Sequence, residues 1–196
     1  NGNFYLYKEG DIRDVDAELL ASKIIDCFDI EHVQYFEGEY DNNKVSICKI
    51  FTSLNYSIVP IEHIEIYCAN NDMTVFDLVS QYDSYSYHMM NIVDYLVGNT
   101  DRHWGNWGFL VDNSNNKIAK LFPLMDFNKA FNSYDTLDGV KCQTTPKTMS
   151  QLEAAVEAVK AVGLNQIHEV KKEWFGSEEQ YNMFCRRLNV LNQNLI

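Results

Sequence analysis

Nine residues near the middle of the chain, GNTDRHWGN at 98–106, hold Asp101, His103 and Asn106 in a stretch whose glycines, Gly98 and Gly105, disfavour a continuous helix. Asp101 and Asn106 bring two oxygen donors into one short loop, and a third donor, Asp126, follows in LMDFNKAF. The apolar runs at 107–111 and 117–124 read as the strands of a hairpin turning at 112–116. Asn106, just before the first strand, then comes beside Asp126, just after the second. A few hard oxygen ligands, with room left for water and phosphate, suit Mg2+ held together with a nucleotide.

Phosphoryl transfer asks for more: a carboxylate at the acceptor hydroxyl, and a lysine that neutralises phosphates and is held by a glutamate on a neighbouring helix. Asp101 can serve as the first, and Lys8 at the end of FYLYK with Glu18 in the next helical segment can supply the pair. Lys8, Glu18, Asp101, Asn106 and Asp126 follow the chain order of protein kinases, and the step of five from Asp101 to Asn106 matches the loop H-R-D-x-x-x-x-N. Met125-Asp126-Phe127-Asn128 stands where D-F-G would.

GNTDRHWGN followed by LMDFNKAF resembles the catalytic and metal loops of HipA-like serine/threonine kinases, whose pattern is close to G-N-x-D-x-H-x-x-N. AELLASKIIDCF after a strand lysine resembles the segment those kinases place after their nucleotide lysine. The shorter string DRHxxN with a downstream DF is shared with phosphoinositide lipid kinases. The resemblance covers roughly residues 4–131. It implies a bilobal protein-kinase-like fold using ATP and Mg2+, with Asp101 as catalytic base or hydroxyl-orienting group and Asn106 and Asp126 as Mg2+ ligands. It further implies Lys8 on the α/β-phosphates, paired with Glu18, and His103 as a loop-organising residue that supports Asp101 by hydrogen bonding. There are two departures: Asn1-Gly2-Asn3 alone precede Phe4, where those kinases carry a phosphate-covering loop, and Asn128 replaces the glycine of D-F-G.

The elements that must hold these residues make an α+β chain. Residues 4–8 read as a short strand and 14–28 as a helix with Asp14 as N-cap, its apolar side chains recurring at three- and four-residue steps. Strands at 32–40 and 44–51 flank an Asp-Asn-Asn turn. Residues 60–71 have no clear period, 74–80 and 86–97 are helical, and 128–148 form a long loop. Helices close the chain at 149–162 and 178–191, the second with Ser177 and Gln180 as a capping box. The expected division is a reduced, strand-rich N-terminal lobe at 1–53 and a mainly helical C-terminal lobe at 54–196, holding the catalytic and metal loops. Thr144, Thr145, Thr148 and Ser150 lie in or just after the long loop, where kinases keep a regulatory segment.

With 196 residues, 46% of them hydrophobic, the chain can bury a real core. Its net charge of -12 argues against a phosphate-tracking nucleic-acid surface and disfavours an anionic lipid acceptor. Five widely spaced cysteines, none in C-x-x-C, give neither a disulfide framework nor a zinc site, and His103 lacks partners at zinc-ligand spacing. Absence of a signal peptide or an apolar run of about 18 residues points to the cytoplasm, with no membrane partner. The expected function is therefore an ATP- and Mg2+-dependent serine/threonine kinase acting on a protein, with an antitoxin-like regulatory partner implied by the resemblance alone. The alternatives are a small-molecule or lipid kinase and a degenerate kinase-fold binding module.

Overall fold

Alternating side chains along three short strands set the first sheet. In the computed structural model, which describes residues 3–195, β1 (Tyr5–Lys8), β2 (Tyr35–Tyr40) and β3 (Asn43–Lys49) pair antiparallel in the order β1-β3-β2. Residues directly opposite share a face, so Lys8 and Glu37 flank Ser46, and Leu6 and Tyr35 flank Cys48 on the same side. Helix α1 (Ile12–Ile25) covers that side, burying Val15 and Leu19 against Val33, Tyr35 and Cys48. The β2–β3 turn passes through Asp41 and Asn42 at φ 50° and 59°, left-handed geometry that aspartate and asparagine tolerate. Asn1 and Gly2, part of the N-terminal departure noted above, lie outside the described residues.

α1 starts earlier than its apolar spacing predicts. Asp11, not Asp14, is the N-cap, its carboxylate accepting the Arg13 N–H at 2.9 Å. Asp14 instead occupies the first turn, where the helix dipole favours an anion. The helix ends at Ile25 rather than Phe28.

A second antiparallel sheet has the order β4-β5-β6, from Tyr56–Pro60, Gly108–Asp112 and Lys117–Leu121. The β5–β6 hairpin is the expected one. β4 is new: YSIVP is short and ends in proline, and its partner lies far along the chain, so no local turn signal announces it. The unassigned segment after it holds a 3-10 turn (Ile61–His63) and α2 (Glu65–Asn70).

The two helices expected at 74–97 are one element, α3 (Val75–Val97), kinked at Asp83 (φ -161°, ψ 63°). Asp83 accepts the Ser86 N–H at 3.1 Å, restarting the helix, and the Leu121 N–H at 3.1 Å, tying the kink to β6. Beyond it α3 is buried all round from Met89 to Val97 and forms the centre of the core. Helix α4 (Gln151–Val162) packs on α3 behind a Ser150–Glu153 capping box, and α5 (Glu178–Gln193) lies beside both. The Ser177–Gln180 box is half made: Ser177 Oγ accepts the Gln180 N–H at 3.2 Å. All five cysteines are free thiols, and among the described residues no helix is long and apolar enough to cross a membrane.

Candidate active site

Lys8 ends β1 and Glu18 lies on the buried face of α1, only 1% exposed. The Lys8 ammonium is 2.7 Å from Glu18 Oε1, while Ser46 Oγ donates to Glu18 Oε2 at 2.6 Å, so both carboxylate oxygens are satisfied. The same ammonium reaches Asp126 Oδ1 at 2.5 Å and sits 5.8 Å from the Tyr35 ring centre. Burial works against the charge on Lys8, but the Glu18 carboxylate and the hydrogen bonds to Asp126 and Glu18 outweigh it, and the ammonium is held above its usual range. The Tyr35 phenol is pushed far up by burial and then by the Glu18 charge, and it stays protonated.

Asp126 takes φ 62°, a left-handed conformation that costs a non-glycine residue energy and gathers at functional sites. Its N–H donates to the Tyr35 hydroxyl at 3.3 Å, fixing the turn from the first sheet.

The loop carrying Asp101 starts at Gly98, whose φ of 61° closes α3. A Cβ there would lie 2.5 Å from the Tyr134 ring, so position 98 needs glycine on both counts. Asn99 is fully buried: its amide donates to Asp94 Oδ1 at 3.0 Å, its Oδ1 accepts the Asp101 N–H at 3.2 Å, and its carbonyl accepts Gln151 Nε2 at 2.6 Å. Asn106 Nδ2 donates to the Asp101 carbonyl at 2.5 Å. The backbone of Asp101 is thus clamped from both sides, while its carboxylate is half-exposed and, among the described residues, has no protein partner.

Arg102, which the sequence reading passes over, organises the site. It is 3% exposed and grips Asp94 on α3 through two bonds, Nε to Oδ2 at 2.8 Å and Nη2 to Oδ1 at 3.0 Å. Its Nη1 donates to the carbonyls of Asn106 (3.0 Å) and Met125 (2.7 Å), and the guanidinium lies 4.7 Å from the Phe127 ring centre. One side chain therefore joins the loop of Asp101 to the turn of Asp126. A signal for it existed: Asp94 is the lone acid in the apolar run MNIVDYLV, and a buried carboxylate there requires a cation.

Lys8 joins Glu18 to Asp126 directly, and Arg102 ties the backbone of Asn106 to that of Met125, the residue before Asp126. His103 does not join them. It is exposed, its Nδ1 accepts the Gly105 N–H at 3.0 Å, and the expected bond to Asp101 does not form; neighbouring Arg102 and Asn106 hold the loop instead. Thr144, a candidate regulatory hydroxyl, is 2% exposed and donates to Asn91 Oδ1 at 2.5 Å, and Ser150 caps α4. The long loop packs on the loop of Asp101: Gln143 Nε2 donates to the Thr100 carbonyl at 2.9 Å, and Trp104 Nε1 to the Gln143 carbonyl at 3.1 Å.

A small hard cation fits these groups. Asn106 Oδ1 is buried without a protein partner, held in orientation by the bond its Nδ2 makes, and the Asp126 carboxylate is one-third exposed. An amide and a carboxylate oxygen leave most of the coordination shell to water and phosphate, as Mg2+ prefers.

Three comparisons bear on this arrangement. The family model for phosphatidylinositol 3- and 4-kinase matches residues 22–182. The serine/threonine-protein kinase CtkA of Helicobacter pylori is 28% identical over 155 residues, covering 71% of this chain and 47% of that protein, so the chain spans about half the length of this curated relative. The crystal structure of a Helicobacter pylori proinflammatory kinase CtkA matches with a TM-score of 0.70 at 18% identity, over 100% of this chain and 88% of the other, a likeness of fold.

Proposed function

This chain belongs to the phosphatidylinositol 3- and 4-kinase family, and on that premise we propose that it is an ATP- and Mg2+-dependent phosphotransferase acting on protein serine or threonine hydroxyls. One observation carries the reading: a single ammonium, on Lys8, joins β1 to Glu18 on α1 and to Asp126 in the loop after β6, and the Lys–Glu pair is the one phosphoryl transfer asks for. In this reading Lys8 neutralises the α/β-phosphates and Glu18 holds it. Asp101, its carboxylate free, orients or deprotonates the acceptor hydroxyl. Asn106 and Asp126 would hold Mg2+, which would offset the phosphate charge. In the same reading the nucleotide lies between an N-terminal part and a helical C-terminal part divided near residues 52–56, a bilobal arrangement.

Protein is the favoured acceptor because the long loop beside Asp101 offers, among the described residues, a single unpaired lysine, too little positive charge for an anionic headgroup. From Asp126 to Ser150 it carries three lysines and three aspartates. Lys129 is paired with Asp14 and Lys147 with Glu157, which leaves Lys141. The serine/threonine label of the 28% identical relative and the HipA-like pattern GNTDRHWGN support the same choice. The test is titration of the chain with ATP and Mg2+, then phosphate transfer to a protein panel and to phosphatidylinositol vesicles, each with Asp101→Asn and Asp126→Asn beside the parent. Binding lost in Asp126→Asn, with transfer to protein lost in both variants, is the expected outcome. Transfer to vesicles alone would move the acceptor to lipid, and transfer undiminished in Asp101→Asn would overturn the assignment of that residue.

A further inference from the structure

α1 rests on the first sheet, yet its Glu18 has to meet Lys8 at a fixed place relative to Asp101, on a loop at the end of α3. Ala17, Ala21, Ile24 and Ile25 of α1 also enter the core built on α3, but such apolar contacts are non-directional. A second ion pair, one turn from Glu18 on α1, adds a directional tie. Lys129 Nζ lies 2.6 Å from Asp14 Oδ2, the two side chains being 38% and 22% exposed. Asp14 and Glu18 are spaced i, i+4 and lie one above the other on the same helix face. Lys129 follows Asp126-Phe127-Asn128, and its carbonyl accepts both the N–H (3.3 Å) and the hydroxyl (3.2 Å) of Thr100, the residue before Asp101. One residue thus touches three elements: its side chain holds α1, its backbone holds the catalytic loop, and its chain position places it in the metal turn.

We propose that Asp14 and Lys129 are a positioning pair, setting α1 and Glu18 in register with the catalytic loop so that Lys8 is presented to the nucleotide. This deepens the phosphotransferase reading and rests on it. The pair touches no phosphate itself. It acts through Glu18, the two polar anchors about 6 Å apart on one helix face together setting its tilt.

The test uses the whole chain with Asp14→Asn, Lys129→Met and the reversal Asp14→Lys/Lys129→Asp, all of which keep the Lys129 carbonyl bond to Thr100. Two quantities are read: affinity for Mg2+-ATP by calorimetry, and amide hydrogen exchange of residues 12–25 without nucleotide. Each single variant is expected to weaken binding about three- to fivefold, the size of a half-exposed pair, and to speed exchange in α1. The reversal is expected to recover most of both, and the defect to shrink at high salt. Singles that bind and exchange like the parent overturn the proposal, as does a reversal no better than the worse single. If the parent itself fails to bind Mg2+-ATP, the functional reading falls, and the exchange data still decide the coupling: protection lost in both singles and restored by reversal upholds it, and any other pattern overturns it.

Discussion

Replacing Asp94 by asparagine tests whether the Arg102 hub holds the site as the geometry requires. The pair is almost dry, with side chains 3% and 6% exposed, and the carboxylate receives two guanidinium N–H groups. Asparagine has nearly the same shape but offers one acceptor and turns an NH2 toward a group that has only donors. The remaining partners of Arg102, the carbonyls of Asn106 and Met125, carry no charge. Removing one member of a buried pair costs about 3–5 kcal/mol, because the other charge stays behind uncompensated. For a chain of 196 residues this lowers the melting temperature on the order of 10 °C, at about 2–4 °C per kcal/mol. Urea unfolding followed by circular dichroism measures the loss, and calorimetry with Mg2+-ATP measures the site. The double variant Asp94→Leu/Arg102→Met separates the two roles: with both charges gone it should recover part of the stability, the Asn99 amide and the Asn106 and Met125 carbonyls staying unpaired, but little binding, since no donor then joins those carbonyls. A loss below about 1 kcal/mol in Asp94→Asn would mean instead that the two carbonyls suffice to hold the guanidinium.

Three further outcomes follow from the same structure. Glu18→Gln leaves Asp126 as the only carboxylate against Lys8 and turns an amide NH2 toward either Lys8 or Ser46, so stability should fall by about 1.5–3 kcal/mol in urea unfolding and Mg2+-ATP binding should weaken; unchanged values would show that Glu18 does not hold the lysine. Gly108→Ala would put a Cβ 2.3 Å from the Val59 carbonyl oxygen, a backbone atom that cannot swing away, and should cost at least the 1–3 kcal/mol typical of overpacking; a stable variant would contradict the β4–β5 register. Burial holds the imidazoles of His32 and His88 below their usual 6.5, against opposing pulls from Asp26 and Glu157. The unfolded chain therefore takes up these protons first, and their contribution to stability is complete above pH 6.5 and lost as pH falls from there through the folded values. Urea unfolding across that window should show a shallower slope in His32→Gln/His88→Gln than in the parent, and equal slopes would count against the assignment.

Much of this arrangement can be read along the chain because it depends on near neighbours. The β2–β3 and β5–β6 hairpins are short-range structures, and a hairpin by its geometry returns Asp126 toward Asn106. The buried end of α3 shows in MNIVDYLV, which is apolar on every side but one. DRHxxN was also the fragment shared with the family whose model matches, although the longer pattern resembled HipA-like kinases. What pairing at a distance controls was not legible. β4 joins a strand some fifty residues on, and nothing in YSIVP names its partner. The choice between neighbours Arg102 and His103 depended on which one faces Asp94, and a loop without a period gives no direction to its side chains. The arginine turned inward because the carboxylate buried on α3 needs a charge beside it, and the histidine was left to solvent. Lys129 reads as an ordinary loop lysine until α1 is packed 115 positions away in sequence, bringing Asp14 to within 2.6 Å. Local periodicity and turn chemistry set the elements and their order, whereas the buried charges found their partners only once the chain had closed and removed the water that had been satisfying them.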